Sequence, residues 1–139
     1  MWPKSARSAG AIFDERSMIT LTMSLVELSR DGNLEGVRAL LERGVDANVQ
    51  DDQGKTPLFF ASKNDHIDIV NVLLNAGASI DTQSSDGRTA LYIATVYGRI
   101  NIVNALLAAG AKVDIQNDEG YTPLLFASSF GDTNIVIVL

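Results

Sequence analysis

The chain has no cysteine and only one histidine, His66, among its 139 residues. The first absence removes disulfides, thiolate zinc sites and thiol nucleophiles, and the second removes most of the usual acid–base repertoire. Proline is scarce at 3 residues and apolar residues make up 46% of the chain, which excludes collagen-like and disordered classes. Long hydrophobic runs are missing too, because Asn, Asp, Gly or Arg breaks every apolar stretch within about ten positions, well short of a bilayer span. No membrane partner is expected. Positive charge is in deficit, with 11 Lys+Arg against 17 Asp+Glu and a net charge of -6. That balance opposes the counterion release on which phosphate-backbone binding depends, so nucleic acid is not expected as a partner either. What remains suits one compact domain, expected inside the cell and in the cytoplasm for want of cysteine and of a secretory signal.

Residues 1–18 are expected to form a loosely ordered leader. Lys4 and Arg7 followed by Ala-Gly-Ala-Ile-Phe at 9–13 loosely resemble a targeting peptide, but Asp14, Glu15 and Arg16 cut the apolar stretch short. Trp2, Ile12 and Phe13 are positioned to fold back over a first helix.

From residue 19 onward the chain repeats itself with a period of 33 residues. Residues 55–87, KTPLFFASKNDHIDIVNVLLNAGASIDTQSSDG, align without a gap on residues 88–120, RTALYIATVYGRINIVNALLAAGAKVDIQNDEG. Residues 121–139 begin another copy, and residues 19–54 hold a degenerate one that lacks the Thr-Pro opening. Thr56-Pro57 and Thr122-Pro123 supply a capping hydroxyl followed by a residue whose missing N–H costs nothing at the first helical position. A short helix is predicted there, with Leu58, Phe60 and Ala61 buried, ending at Asn64-Asp65, Gly98 or Gly131. A second helix is predicted from Ile67, Ile69, Val70, Leu73 and Leu74, with Gly77 or Gly110 at its end. The clusters Ser-Ser-Asp-Gly and Asn-Asp-Glu-Gly then make turns. Two short helices and a turn cannot bury their own apolar face, so the units must stack into an all-α solenoid of helix-turn-helix units with protruding β-turns.

These residues resemble the ankyrin repeat: TPL at 56–58 and 122–124, LL-x-x-GA at 73–78 and 106–111, and the Asp-Gly turn at 86–87. The resemblance implies an ankyrin-repeat domain over 19–139 and a non-catalytic protein-binding module. It departs from the family pattern in three places. Phe59, Tyr92 and Leu125 stand where the family usually has a His that ties neighbouring turns, so that polar tie is expected to be missing. Ala90 replaces Pro at a modest cost in helix entry. The chain also stops inside a second helix, so Ile135, Val136, Ile137, Val138 and Leu139 are expected to be exposed unless covered, and self-association through this uncapped end is expected. The same ending favours an alternative, that these repeats are the N-terminal regulatory region of a longer enzyme or channel truncated at residue 139.

No reactive constellation is found, and no catalytic residue, metal ligand or cofactor is assigned. His66 lies in a turn with only Asp65 and Asp68 beside it, which make neither a triad nor a zinc set, so its role is structural. The acidic pairs Asp51-Asp52 and Asp118-Glu119 are read as solvated turn residues. The glycines are dispersed at the repeat period with no phosphate cradle. Asn48 resembles the family position that asparaginyl hydroxylases modify, while its own residue type reads as a turn-stabilising amide, a slot filled by Asp81 and Asp114 in the later copies.

The surface carries the functional reading. The resemblance places the turn tips and the exposed residues of the first helices on one concave face, the expected binding site for a partner protein. Its candidate residues are Asp52, Lys55, Lys63, Asp86, Arg88, Val96, Tyr97, Tyr121 and Phe130. Tyr97, Tyr121 and Phe130 gather toward one half of the face and offer aromatic contact area. Asp51, Asp52, Asp86, Asp118 and Glu119 make an acidic row along the tips, and a partner with a basic patch is expected there.

Overall fold

Helices of seven to nine residues do not persist in water alone, because the nucleus costs more than so few hydrogen bonds return. Caps and packing must hold them. The computed structural model of the chain describes residues 24–139, so the leader assigned to 1–18, with the packing expected of Trp2, Ile12 and Phe13, lies outside the described residues. Residues 24–31 are helical, named α1. There follow α2 (Leu34–Glu42), α3 (Pro57–Lys63), α4 (Ile67–Asn75), α5 (Ala90–Val96), α6 (Ile100–Ala108), α7 (Pro123–Ser129) and α8 (Thr133–Val138).

Each odd-numbered helix from α3 on opens with the same device. The hydroxyl of Thr56 accepts the N–H of Phe59, that of Thr89 the N–H of Tyr92, and that of Thr122 the N–H of Leu125, each at 3.1 Å. Ala90 starts α5 without proline, so the threonine cap suffices there. The even-numbered helices are less uniform at this end. Asn33 and Asp132 cap α2 and α8 through their side chains, whereas His66 and Arg99 make no such bond. These two reach instead to the preceding helix pair: His66 Nε2 lies 3.0 Å from the Arg30 carbonyl, and Arg99 Nε donates to the Lys63 carbonyl at 3.0 Å. The structural role expected of His66 is thus a link between neighbouring pairs.

Two layers result. The odd-numbered helices stack on one another in one layer and the even-numbered helices in the other, with the odd layer more closely packed. The core lies between the layers, where Ile69, Val70 and Leu73 of α4 and Ile102, Val103 and Leu106 of α6 meet Leu58, Ala61, Leu91 and Ala94. Each even helix therefore buries one apolar stripe. One expectation for α3 is overturned, because Phe59 is buried and Phe60 is only half-buried. Phe59 packs edge-on against Phe60 with Lys55 over its ring, so a first helix buries a side chain outside the single stripe that the sequence reading anticipates.

The polar tie between turns is present after all, in another form. Ser85 N donates to Gln53 O at 2.8 Å, Asp118 N to Asp86 O at 3.1 Å, and Gln83 Nε2 to Gln116 O at 3.2 Å. Behind the turns, Asn48 Oδ1 accepts the N–H of Ser79 at 2.6 Å and Asp81 Oδ1 that of Lys112 at 3.0 Å. Asn48 and Asp81 thus join one repeat to the next.

The expectation that residues 135–139 of the last helix stand exposed is corrected, because the preceding repeat covers one side of that helix. Ile135 is buried, Val136, Val138 and Leu139 are half-buried against the core, and Ile137 is 80% exposed.

Candidate functional site

The turns that edge the odd-helix layer are built alike from different side chains. Asp51 Oδ1 accepts the N–H groups of Gln53 and Lys55, and Asn117 Oδ1 those of Glu119 and Tyr121. Ser84 fills the same slot, accepting from Arg88 N while its hydroxyl donates to the Asp86 carboxylate. The acidic row is corrected accordingly. Asp51 is a half-buried turn organiser and not an open tip residue, because its carboxylate is turned inward onto two backbone donors. Asp52, Asp86, Asp118 and Glu119 remain exposed.

Asp86 has its own local cation. Arg88 Nε lies 3.3 Å from Asp86 Oδ2, a charge contact without hydrogen-bond geometry. The Ser84 hydroxyl holds the Asp86 carboxyl below its ordinary range against the opposing effect of burial, with a lesser contribution from Arg88. The two basic turn residues also lie against aromatic rings. Lys55 Nζ sits 5.5 Å from the Phe59 ring centre, and the Arg88 guanidinium sits 5.8 Å from that of Tyr92. Lys55 and Arg88 are accordingly half-buried and partly committed to the fold. Burial pushes the Tyr92 phenol up.

Beyond the turns, the surface of the odd helices carries a line of rings. Tyr92 meets Phe126 edge-on at 5.7 Å, and Phe126 stacks on Phe130 at 4.4 Å. Phe130 is 70% exposed and Tyr97, one period earlier, is 46% exposed. Tyr97 lies between two cations, with Lys63 Nζ at 5.4 Å and the Arg99 guanidinium at 6.0 Å from its ring centre. Val96 is half-buried next to Tyr97, and Tyr121 is half-buried at the turn edge.

The candidate residues therefore fall into two groups. Asp52, Lys55, Asp86, Arg88 and Tyr121 belong to the turn edge, while Lys63, Val96, Tyr97 and Phe130 lie at the opposite ends of the odd helices, with Phe126 between. Phe126 and Arg99 were missed by the sequence reading. A period-33 alignment carried the signal for both, since Phe126 falls in the Phe60 slot two copies on and Arg99 falls in the His66 slot.

Among the described residues, no group of three or more His, Asp or Glu is placed to hold a metal, and no helix is long and apolar enough to cross a membrane. What the described surface offers is aromatic area framed by charge. A comparison with curated proteins finds no match. The sequence model of the family described as ankyrin repeats (3 copies) matches residues 25–117. With that match and a two-layer stack of capped helix pairs, the chain belongs to the ankyrin-repeat family, whose repeats generally serve protein–protein interaction.

Proposed function

We propose that the chain is a non-catalytic, cytoplasmic protein-binding module that takes its partner on the odd-helix face, across the turn tips and the far ends of the first helices. The observation that carries this reading is the ring series Tyr92, Phe126 and Phe130, which leads from a buried phenol to a ring 70% exposed, with the half-exposed Tyr97 one period away. Aromatic anchors dominate binding energetics, with truncation commonly costing about 2 kcal/mol or more, whereas exposed ion pairs return roughly 0–1 kcal/mol. The exposed carboxylates Asp52, Asp118 and Glu119 favour a partner that is basic at the tips. The test is a pull-down from lysate with the wild-type chain beside a Tyr97→Ala, Phe130→Ala double variant. Partners retained by wild type should be lost or much reduced with the variant. Equal recovery would reject this face.

A second reading, self-association, is favoured by the apolar end. Leu124 is 42% exposed, Leu125 48% and Ile137 80%. Burying such a patch in a second copy is favourable at about 25 cal/mol per Å². Sedimentation of the wild type should then show a concentration-dependent oligomer that Leu125→Lys, Ile137→Lys abolishes. A wild-type monomer at all concentrations would end this reading and leave the first untouched.

A further inference from the structure

We infer that the partner seats a carboxylate side chain between Lys63 and Arg99 at the Tyr97 ring, while its basic residues face the turn tips. The inference rests on the odd-helix-face reading and sharpens it, since the expected partner there was specified only as basic. Lys63 and Arg99 flank one half-exposed ring. Arg99 is held in place by its Nε bond to the Lys63 carbonyl, so the fold itself fixes the guanidinium beside the base of the Lys63 side chain. Among the described residues the ion pairs are Arg30 with Asp31 and Arg88 with Asp86, so neither Lys63 nor Arg99 has a carboxylate within salt-bridge reach.

The nearby acids are otherwise placed. Asp31 is paired with Arg30, Asp132 caps α8 through the N–H of Ile135, and Asp65 sits at the corner after α3 with φ 64°. Two like charges confined beside a ring are relieved by an incoming anion, which gains charge-assisted hydrogen bonds from a guanidinium and an ammonium at once. A singly charged carboxylate suits the site better than a phosphate dianion, because the chain carries a net charge of -6.

The helices set a minimum spacing. Each odd helix from α3 on has seven residues, about 10 Å long at 1.5 Å rise, and the acidic tips lie on the turns before it. That length is roughly three residues of extended chain. The bound segment is therefore bipolar, with Lys or Arg at least about three positions from Asp or Glu.

A phage-displayed library of random 12-residue peptides panned on the full chain tests this. Wild type should enrich peptides with that acid–base spacing. Lys63→Glu alone leaves the carbonyl that accepts from Arg99 in place, and it should weaken the enriched peptides about tenfold or more. Lys63→Glu, Arg99→Glu should itself select peptides without the acid. An unchanged thermal melt for Lys63→Glu excludes unfolding as the cause. Peptides that lose affinity on Tyr97→Ala, Phe130→Ala but not on charge reversal would overturn the carboxylate inference and leave the binding face standing. Peptides indifferent to both, or a wild-type chain that enriches none, would overturn both.

Discussion

Leu58 and Leu91 are each 1% exposed, while Leu124, in the same slot of the next copy, is 42% exposed. Phe59 and Tyr92 are 3% exposed against 48% for Leu125. Yet the threonine cap is the same 3.1 Å in all three helices. Local sequence thus makes the helix in every copy, and the neighbour alone decides what the helix buries. Stability in such a stack belongs to interfaces between units more than to the units themselves.

The sharpest way to break this comparison is to truncate the same side chain in both settings. Leu91→Ala should destabilise the chain by about 3 kcal/mol, in the range for buried leucine, and Leu124→Ala by roughly 1 kcal/mol or less. Urea unfolding of the two variants measures both. Equal losses would mean that the last copy is packed as tightly as the inner ones.

A smaller effect separates two turn glycines. Gly87 has φ 81°, and a Cβ there would meet the backbone nitrogen of Asp118 at 2.9 Å. Gly120 has φ 84° with nothing within 4 Å of the same position. Gly120→Ala should cost about 1–2 kcal/mol for the left-handed backbone alone, and Gly87→Ala about 1 kcal/mol or more beyond that, since the next turn cannot yield freely. Thermal melts that rank them the other way would deny that the turns lean on each other.

The smallest effect concerns the turn that carries the Asp86–Arg88 ion pair. The Asp86 carboxyl is lowered in the folded chain, so it adds stability above its ordinary value of 3.8 and loses it as pH falls through the lowered folded value. Wild type should therefore be slightly more stable than Asp86→Asn at neutral pH, and the gap should close in strong acid. Half-exposure keeps the gap small. A gap that widened on acidification would contradict the assignment.

Much of this fold is legible in the sequence because its signals are local and recur at a fixed interval. Thr56, Thr122 and the gapless alignment of 55–87 on 88–120 need no tertiary knowledge. Phe59 and Phe60 could not be sorted, because a seven-residue helix in a stack faces both its own partner helix and the next unit, and one apolar stripe cannot tell these apart. Candidate site residues were legible as positions but not as states. Lys55 and Arg88 could be placed on the turns, whereas their engagement with Phe59 and Tyr92 depends on side-chain directions that spacing leaves open. Asp51 and Asp52 are neighbours of the same type with opposite fates, decided by which one the turn points inward.

The corner between paired helices also makes the order of the copies a constraint. The His66 ring lies flat on Gly32, where a Cβ would stand 2.6 Å from its Cε1 atom. The next corner carries Asp65, which has such a Cβ, and is followed by Arg99 in place of a histidine. Copies that look interchangeable by alignment are therefore addressed to particular neighbours. A tandem duplication of the 55–87 copy would set a second His66 ring against the Cβ of Asp65, so an unequal crossover that lengthened the chain by one repeat would leave one seam where that ring has to turn aside.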